Sequence, residues 1–118
     1  MGLCLGNAEA EAIKHRGWVT GHFMPEGDLH YSRDVEIKWG KHKAGEKSRG
    51  YPEWSAGDST TCTILISGKI RQEFQQHNIG VVLENEGDYA LFGPGVPHRW
   101  EVLEDTRILT VRWPSGPK

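Results

Sequence analysis

Two turn sequences flank a short apolar segment in the second half of the chain, and a histidine follows the second turn. The turns are Gly-Asp at 87–88 and Gly-Pro-Gly at 93–95, where glycine adopts positive φ angles and proline fixes its own φ. The apolar residues 89–92 between them have the length of a buried strand. His98 begins the next predicted strand at a fixed offset from a rigid turn. We therefore expect its imidazole to be held still inside a β-structure.

Segments with strand patterns recur along the chain from residue 33 onward. Ser-Gly-Lys at 67–69 predicts a hairpin turn between strands at 61–66 and 70–74. The other predicted strands lie at 35–39, 81–83, 89–92, 98–102 and 107–113. Short strands at regular spacing are typical of a sandwich or barrel, with roughly eight or more antiparallel strands.

Side chains alternate between the two faces of a strand, so the pattern predicts which residues face the interior. Trp100 and Val102 accompany His98 on one face, and these apolar partners predict that His98 faces inward. The same reasoning places Gln72 inward in the strand at 70–74. Three tryptophans on predicted inward faces are expected in the core: Trp39, Trp100 and Trp113.

Residues 87–98 resemble the second motif of the cupin superfamily, which runs glycine, five residues, proline, any residue, glycine, two residues, histidine. Here Gly93 stands at the proline position, Pro94 follows it, and Val102 stands where the full motif often has asparagine. The resemblance spans roughly residues 33 to 113. It implies an all-β, double-stranded β-helix (jelly-roll) barrel of the cupin type with a short N-terminal arm.

The resemblance also implies how the chain is divided and assembled. We expect residues 1–32 to form an arm that packs on the barrel or on a dimer partner, and residues 33–118 to form the cupin-like barrel. Asn7 is a candidate N-cap for one or two helical turns within the arm. Cupins with such short chains often form homodimers, so a homodimer is expected.

The first cupin motif departs from the family pattern in this chain. Metal-binding cupins supply two histidines and a glutamate from that motif and a third histidine from the second. Here the corresponding positions fall near 54–57 and 60–61, which hold no metal-ligand side chain. We expect no cofactor. The alternative is a metal-dependent cupin enzyme of the oxygenase or isomerase type, whose divalent metal is held by His98, His42 and Glu53.

The preferred hypothesis is a cupin-like protein that binds a small polar or sugar-like ligand without the ordinary metal site. Its expected ligand-binding residues are Trp54, Gln72, His98 and Trp100. Trp54 lies in a long polar loop, residues 40–58, that is expected to cap the barrel mouth, where an indole either stacks on a planar ligand or plugs the opening. A regulatory protein with no ligand of its own is a third, weaker hypothesis.

Composition excludes several other classes of partner. The formal net charge is −2, so no basic field favours nucleic acid or anionic membranes. We find no apolar segment long enough to span a membrane and no signal-peptide pattern before the domain. The two cysteines, Cys4 and Cys62, lack metal-binding spacing, and this predicts a reduced, cytoplasmic setting.

Overall fold

The fold consists of six antiparallel strands and one turn of helix, seen in a computed structural model that describes residues 2–116. The all-β prediction is confirmed. Residues 1, 117 and 118, which belong to the predicted arm and barrel ranges, lie outside the described residues. In the described part of the chain no helix is long and apolar enough to cross a membrane. The elements are α1 Ala8–Glu11, β1 Trp18–Thr20, β2 Glu36–His42, β3 Thr60–Phe74, β4 Ile79–Leu83, β5 Tyr89–Phe92 and β6 His98–Trp113.

Two long strands, β3 and β6, run through the whole sheet and pair with each other along their length. The hydrogen-bonded order is β1-β2-β6-β3-β4, and β5 also pairs with β3. The first half of β3 lies between β5 and the second half of β6. The second half of β3 lies between β4 and the first half of β6. The long strands thus join two halves of a sheet that folds over a common interior.

The predicted hairpin at 67–69 is wrong, because β3 continues through this segment. The register between β3 and β6 shifts there, which marks a β-bulge. Gly68 has a φ of +99°, and a Cβ on it would lie 2.2 Å from the carbonyl oxygen of Asp105. A glycine with positive φ therefore serves a bend in a paired strand here and not a chain reversal. Residues 98–102 and 107–113 are likewise one strand, so the sheet has fewer strands than predicted.

The bulge changes which residues of β3 face the interior. Before it the odd-numbered positions are buried, as at Thr61 and Thr63. After it the even-numbered positions are buried, as at Ile70 and Gln72. In β6 the even-numbered positions are buried on both sides of the bulge, at Val102, Thr106, Ile108 and Thr110, whereas Glu104 at the bulge is exposed. An inserted residue in one strand of a pair produces this change of face.

A small apolar core lies next to the bend. Its members are Leu65, Ile70, Leu83, Val102 and Ile108, and Trp100 packs against them. Thr106 is fully buried beside them, and its hydroxyl forms hydrogen bonds with backbone groups of the bulge. Its Oγ1 accepts a hydrogen bond from the Lys69 amide at 3.1 Å and donates one to the Glu104 carbonyl at 2.7 Å. The contact of Trp100 with the core confirms the prediction that this residue faces the interior.

One half of the sheet consists of β2, β5, the first half of β3 and the second half of β6. Its inner face is polar and its outer face is apolar. Lys38 pairs with Thr110 on the inner face, whereas Trp39 pairs with Leu109 on the outer face. The prediction that Trp39 and Trp113 are core residues is wrong, and Trp113 is 42% exposed. Because Thr110 of β6 faces the interior, its partner Lys38 on β2 faces the interior too. The hydrophobic alternation predicts the opposite face.

We call the other side of this half the outer apolar face. Its members are apolar or aromatic residues and one cysteine: Ile37, Trp39, Cys62, Ile64, Tyr89, Leu91, Leu109, Val111 and Trp113. Tyr89 is 65% exposed and Leu91 is 57% exposed. Trp113 is also exposed, whereas the other six residues are partly buried, so the face is open to solvent mainly along β5 and at the end of β6.

The N-terminal arm joins the sheet through β1, and its first helical turn, α1, is attached to the barrel through Glu9. Asn7 caps α1, because its Oδ1 accepts a hydrogen bond from the Ala10 amide at 2.9 Å, which confirms the predicted cap. The Glu9 carboxylate accepts hydrogen bonds from Trp39 Nε1 at 2.7 Å and from Arg107 Nε at 2.8 Å, and Lys41 Nζ lies 3.2 Å away. Arg107, followed by Trp39, lowers the pKa of Glu9 to about 2.

We predict that Gly68→Ala destabilises the protein more than Gly87→Ala does. Both glycines have positive φ, so either alanine costs about 1–2 kcal/mol of backbone strain. Only at position 68 does the new Cβ meet backbone atoms, whereas at Gly87 nothing lies within 4 Å. The clash should add about 1–3 kcal/mol in chemical denaturation. Equal loss of unfolding free energy in the two variants would contradict a bend that requires close approach.

Glu9 should hold the arm in a pH-dependent way. Its folded pKa is below the ordinary 4.5, so the carboxylate stabilises the docked arm above that pH and loses this effect as the pH falls towards about 2. We expect Glu9→Gln to speed hydrogen exchange in residues 8–20 at neutral pH, with Glu26→Gln as the control. The difference from wild type should shrink on acidification. Equal exchange in wild type and Glu9→Gln at neutral pH would contradict this attachment.

Candidate functional site

A cavity of about 90 Å³ lies between the two halves of the sheet. β2, β3, β5 and β6 all contribute to its wall. Ile70, Phe74, Phe92, Trp100 and Ile108 supply the apolar part of the lining. The polar part of the lining consists of Lys38, His42, Thr61, Thr63, Gln72, His98, Arg99, Thr110 and Arg112.

Gly40 keeps the β2 side of the cavity open. It lies on the inner face of β2, between Lys38 and His42. A Cβ at this position would lie 2.7 Å from Ile108 Cγ2 and 3.1 Å from His42 Nε2. The backbone of Gly40 does not require glycine, because its φ is not positive. The glycine is therefore needed for space.

Gln72 presents its amide nitrogen to the cavity. The residue is only 5% exposed, and its Oε1 accepts a hydrogen bond from Thr63 Oγ1 at 3.3 Å. Within residues 2–116 no fully buried polar side-chain atom lacks a hydrogen-bond partner. Since the Gln72 amide nitrogen makes no protein hydrogen bond, it must be accessible from the cavity. The inward orientation that the sequence predicts for Gln72 is confirmed.

His98 is held by the backbone on both sides. Its Nδ1 lies 2.9 Å from the Val96 carbonyl oxygen, and because a carbonyl only accepts, Nδ1 carries the proton and Nε2 keeps a free lone pair. The ring centroid lies 4.5 Å from that of Phe92. The amide and carbonyl of His98 both pair with Ser55, at 2.8 and 2.9 Å. The predicted inward, immobilised imidazole is confirmed, and it offers an acceptor.

His42 and Trp100 form the next part of the wall, with ring centroids 5.1 Å apart. Burial lowers the pKa of His42, and Glu46 opposes this shift with an oxygen 3.6 Å from Nδ1. Lys38, further along the inner face of β2, also lowers the pKa of His42. His42 is therefore neutral at neutral pH, since its ordinary pKa is already below 7.

Trp54 and Glu53 do not line this cavity. The Trp54 ring packs instead against the Arg99 guanidinium, whose Cζ lies 4.0 Å from the ring centroid. Glu53 is exposed on the surrounding loop. Of the four ligand-binding residues expected from sequence, the fold brings Gln72, His98 and Trp100 together and leaves Trp54 outside.

The long polar loop runs beside β6 as an irregular edge. Backbone hydrogen bonds join Gly45 to Val102 at 2.8 Å and Ser48 to Trp100 at 2.9 Å. Near its end, residues 55–59 line a second hollow of about 200 Å³. This hollow shares four lining residues with the cavity: Thr61, Phe92, His98 and Arg112. The loop thus covers the edge of β6 and walls the interior beside His98.

The donor groups do not fit a divalent metal site. A transition metal needs at least three nitrogen, sulfur or carboxylate ligands that converge on one point. No three histidine, cysteine, aspartate or glutamate side chains are grouped in this way within residues 2–116. His42 and His98 share the cavity, but Glu53 does not join them. The alternative set His98, His42 and Glu53 is therefore not assembled.

Sequence reasoning missed the cationic and hydroxyl side of the cavity. Lys38, Thr61, Thr63, Thr110 and Arg112 all line it, but their strands were assigned the opposite face because the alternate positions are apolar. One signal was available in β6. If residues 98–113 are read as one continuous strand, the inward position of His98 also places Thr110 and Arg112 inward.

No protein-family model and no curated protein matches the sequence. Solved structures do match the fold. KdgF from Halomonas sp. has a TM-score of 0.62 and 15% identity, over 72% of this chain and 74% of that one. An RmlC-like cupin from Shewanella frigidimarina has a TM-score of 0.60 and 16% identity, over 70% of this chain and 68% of that one.

A cupin superfamily protein from Desulfitobacterium hafniense gives the same picture. Its TM-score is 0.60 and its identity 16%, over 70% of this chain and 69% of that one. At such low identities the likeness concerns the fold alone. The resemblance of residues 87–98 to a cupin motif is thereby confirmed at the level of architecture, and the chain has the cupin jelly-roll fold.

Proposed function

We propose that this protein binds a small polar molecule in the cavity lined by Gln72, His98 and Trp100, without the ordinary cupin metal site. The observation that carries the proposal is a cavity in the sheet interior with polar groups that the protein leaves unpaired. An unpaired buried donor or acceptor costs about 1–3 kcal/mol. A ligand that pairs with these groups is therefore stabilised by them.

The chemistry of the wall suits a ligand with several hydroxyl or carbonyl groups. The Gln72 amide donates, His98 Nε2 accepts, and the hydroxyls of Thr61 and Thr110 do either. Trp100 offers an apolar surface beside them. A volume of about 90 Å³ is small compared with a typical drug-sized site of roughly 300–1,000 Å³. This favours a molecule of few atoms over a complete sugar ring.

Gln72→Leu should weaken ligand binding. The leucine nearly keeps the volume but removes the amide that faces the cavity, so we expect roughly a tenfold loss of affinity. Saturation-transfer NMR with small hydroxy acids, amides and polyols would identify ligands, and calorimetry would measure them. Gln76→Leu is the matched control, since Gln76 is exposed on the turn after β3.

Two outcomes would contradict this proposal. Binding unaffected by Gln72→Leu would place the ligand elsewhere. Stoichiometric iron, manganese, nickel or zinc in protein purified without a histidine tag, lost on His98→Ala, would instead support the metal-dependent enzyme. Elemental analysis of both proteins decides this second point.

We also propose that the expected homodimer forms through the outer apolar face. Its nine residues carry no charge and include three aromatic side chains: Trp39, Tyr89 and Trp113. Interface cores are depleted of charge and enriched in aromatic residues in this way.

A second copy of the chain suits this face better than a charged partner. A two-fold axis brings the same surface of both copies together, and an uncharged flat surface meets itself without repulsion. The arm covers only one end of the face, where Glu9 binds Trp39 and Arg107. The most exposed members, Tyr89 and Leu91, lie on β5 and remain available.

Leu91→Asp should shift the protein towards monomer. Leu91 is 57% exposed, so the aspartate is tolerated in the single chain but is desolvated in a dimer. Sedimentation over a concentration series should show wild type above the 13.3 kDa monomer mass and the variant at that mass. Ile79→Asp is the control, because Ile79 is 54% exposed but belongs to β4 outside this face. A wild-type protein that stays monomeric throughout would contradict the proposal.

A further inference from the structure

The cavity wall carries three cations, and the protein neutralises them unequally. The lining includes Lys38, Arg99 and Arg112 but no aspartate or glutamate. Arg99 is offset by a carboxylate: Nε and Nη2 each donate to Glu73 at 3.3 Å, and Nη1 donates to the Pro52 carbonyl at 2.7 Å. Three of its five N–H donors are thus engaged within the protein, and its charge is balanced.

Arg112 is balanced by one carboxylate but retains free donors. Its Nη1 lies 3.3 Å from Glu36 Oε1, the one protein acceptor of this guanidinium within residues 2–116. The other oxygen of Glu36 accepts from Ser115 Oγ at 3.0 Å. Glu36 is only 7% exposed and is therefore committed to these partners. The remaining edge of Arg112 is available on the cavity side.

Lys38 has no counter-charge. No carboxylate of residues 2–116 forms an ion pair with its ammonium group, although Lys38 is partly buried and lines the cavity. Its Nζ lies 5.2 Å from the centroid of the Trp18 ring, and the Cζ of Arg112 lies 5.7 Å from the same centroid. Both cations therefore lie beside the same indole ring. Burial, and then the charges of Arg112 and Arg16, lower the pKa of Lys38.

Among the cations that line the cavity, one positive charge is left over. Glu36 offsets Arg112, and Lys38 remains. Low-dielectric walls lined by one sign of charge concentrate a potential that attracts the opposite charge. A phosphate group carries about −1.5 to −2 charges at neutral pH and would be under-compensated here. A carboxylate carries one charge and matches the surplus.

On the basis of the proposed function, we infer that the ligand is a small hydroxycarboxylic acid whose carboxylate lies between Lys38 and Arg112. Arg112 offers N–H donors to the carboxylate, and Lys38 supplies the balancing charge. The hydroxyl of the acid reaches the donors and acceptors further along the wall, at Thr61, Thr110 and Gln72. Lys38 and Arg112 are binding residues in this assignment, with no part in a chemical step.

The test compares each acid with its neutral amide. Glycolate and lactate are titrated against glycolamide and lactamide, with inorganic phosphate as a third probe, into wild type, Lys38→Gln and Lys41→Gln. Lys41 belongs to the same strand but points to the outer side. Its replacement by glutamine removes one positive charge, as Lys38→Gln does, so the two variants have the same net charge. Wild type and Lys41→Gln should prefer the acid by roughly tenfold, the strength of one charge-assisted hydrogen bond.

Lys38→Gln should reduce the preference for the acid, because it weakens acid binding more than amide binding. Its melting temperature should not fall, because the substitution removes an unpaired, partly desolvated charge. Acid binding in wild type should also weaken with salt, whereas amide binding should not.

Each contrary result has a distinct meaning. Equal binding of acid and amide in wild type overturns the carboxylate and leaves the cavity as a site for neutral molecules. Tighter binding of phosphate than of the acids overturns the match to a singly charged ligand, and a preference that is undiminished in Lys38→Gln overturns the assignment of Lys38. If none of the acids and amides binds, both this inference and the proposed function fail.

Discussion

The close approach of Gly68 to the partner strand is the constraint on which the rest of the structure depends. With the Asp105 carbonyl oxygen 2.2 Å from where a Cβ would lie, only glycine lets β3 and β6 bend together. The register between the two strands also shifts by one residue across the bulge, so that Thr61 and Thr63 before it and Gln72 after it all face one interior. Without that change of face the two halves of the sheet would not share a cavity wall.

The polar inner face and the apolar outer face both follow from the alternation of side chains along β2 and β6. In the half of the sheet formed around β2, the inner positions hold Lys38 and Thr110, and the outer positions next to them hold Trp39 and Leu109. A single chain in water gains nothing by exposing the second pair and desolvating the first. The arrangement is consistent with a polar ligand inside and a second protein surface outside, and both proposals rest on it.

Charge distribution distinguishes this cavity from an inert, water-filled core. Arg99 is hydrogen-bonded to Glu73, and His98 Nδ1 is hydrogen-bonded to the Val96 carbonyl, so these groups are rigid parts of the wall. Lys38 is different, because the chain desolvates it and provides no carboxylate beside it. Groups that are costly in the folded protein and unpaired within it are the ones that a ligand most readily satisfies.

The sequence by itself determined the β class, the turns on either side of β5 and the inward positions of His98, Gln72 and Trp100, because turn chemistry and short-range alternation are local properties. It did not determine that Gly68 bends a strand, since a glycine with positive φ serves a hairpin and a bulge equally well. Tertiary pairing along β6 decided that, and with it which face of β2 is inside. The sequence therefore does not predict that Lys38 and Arg112 line one cavity. Their side of the sheet depends on a register that only the assembled strands define.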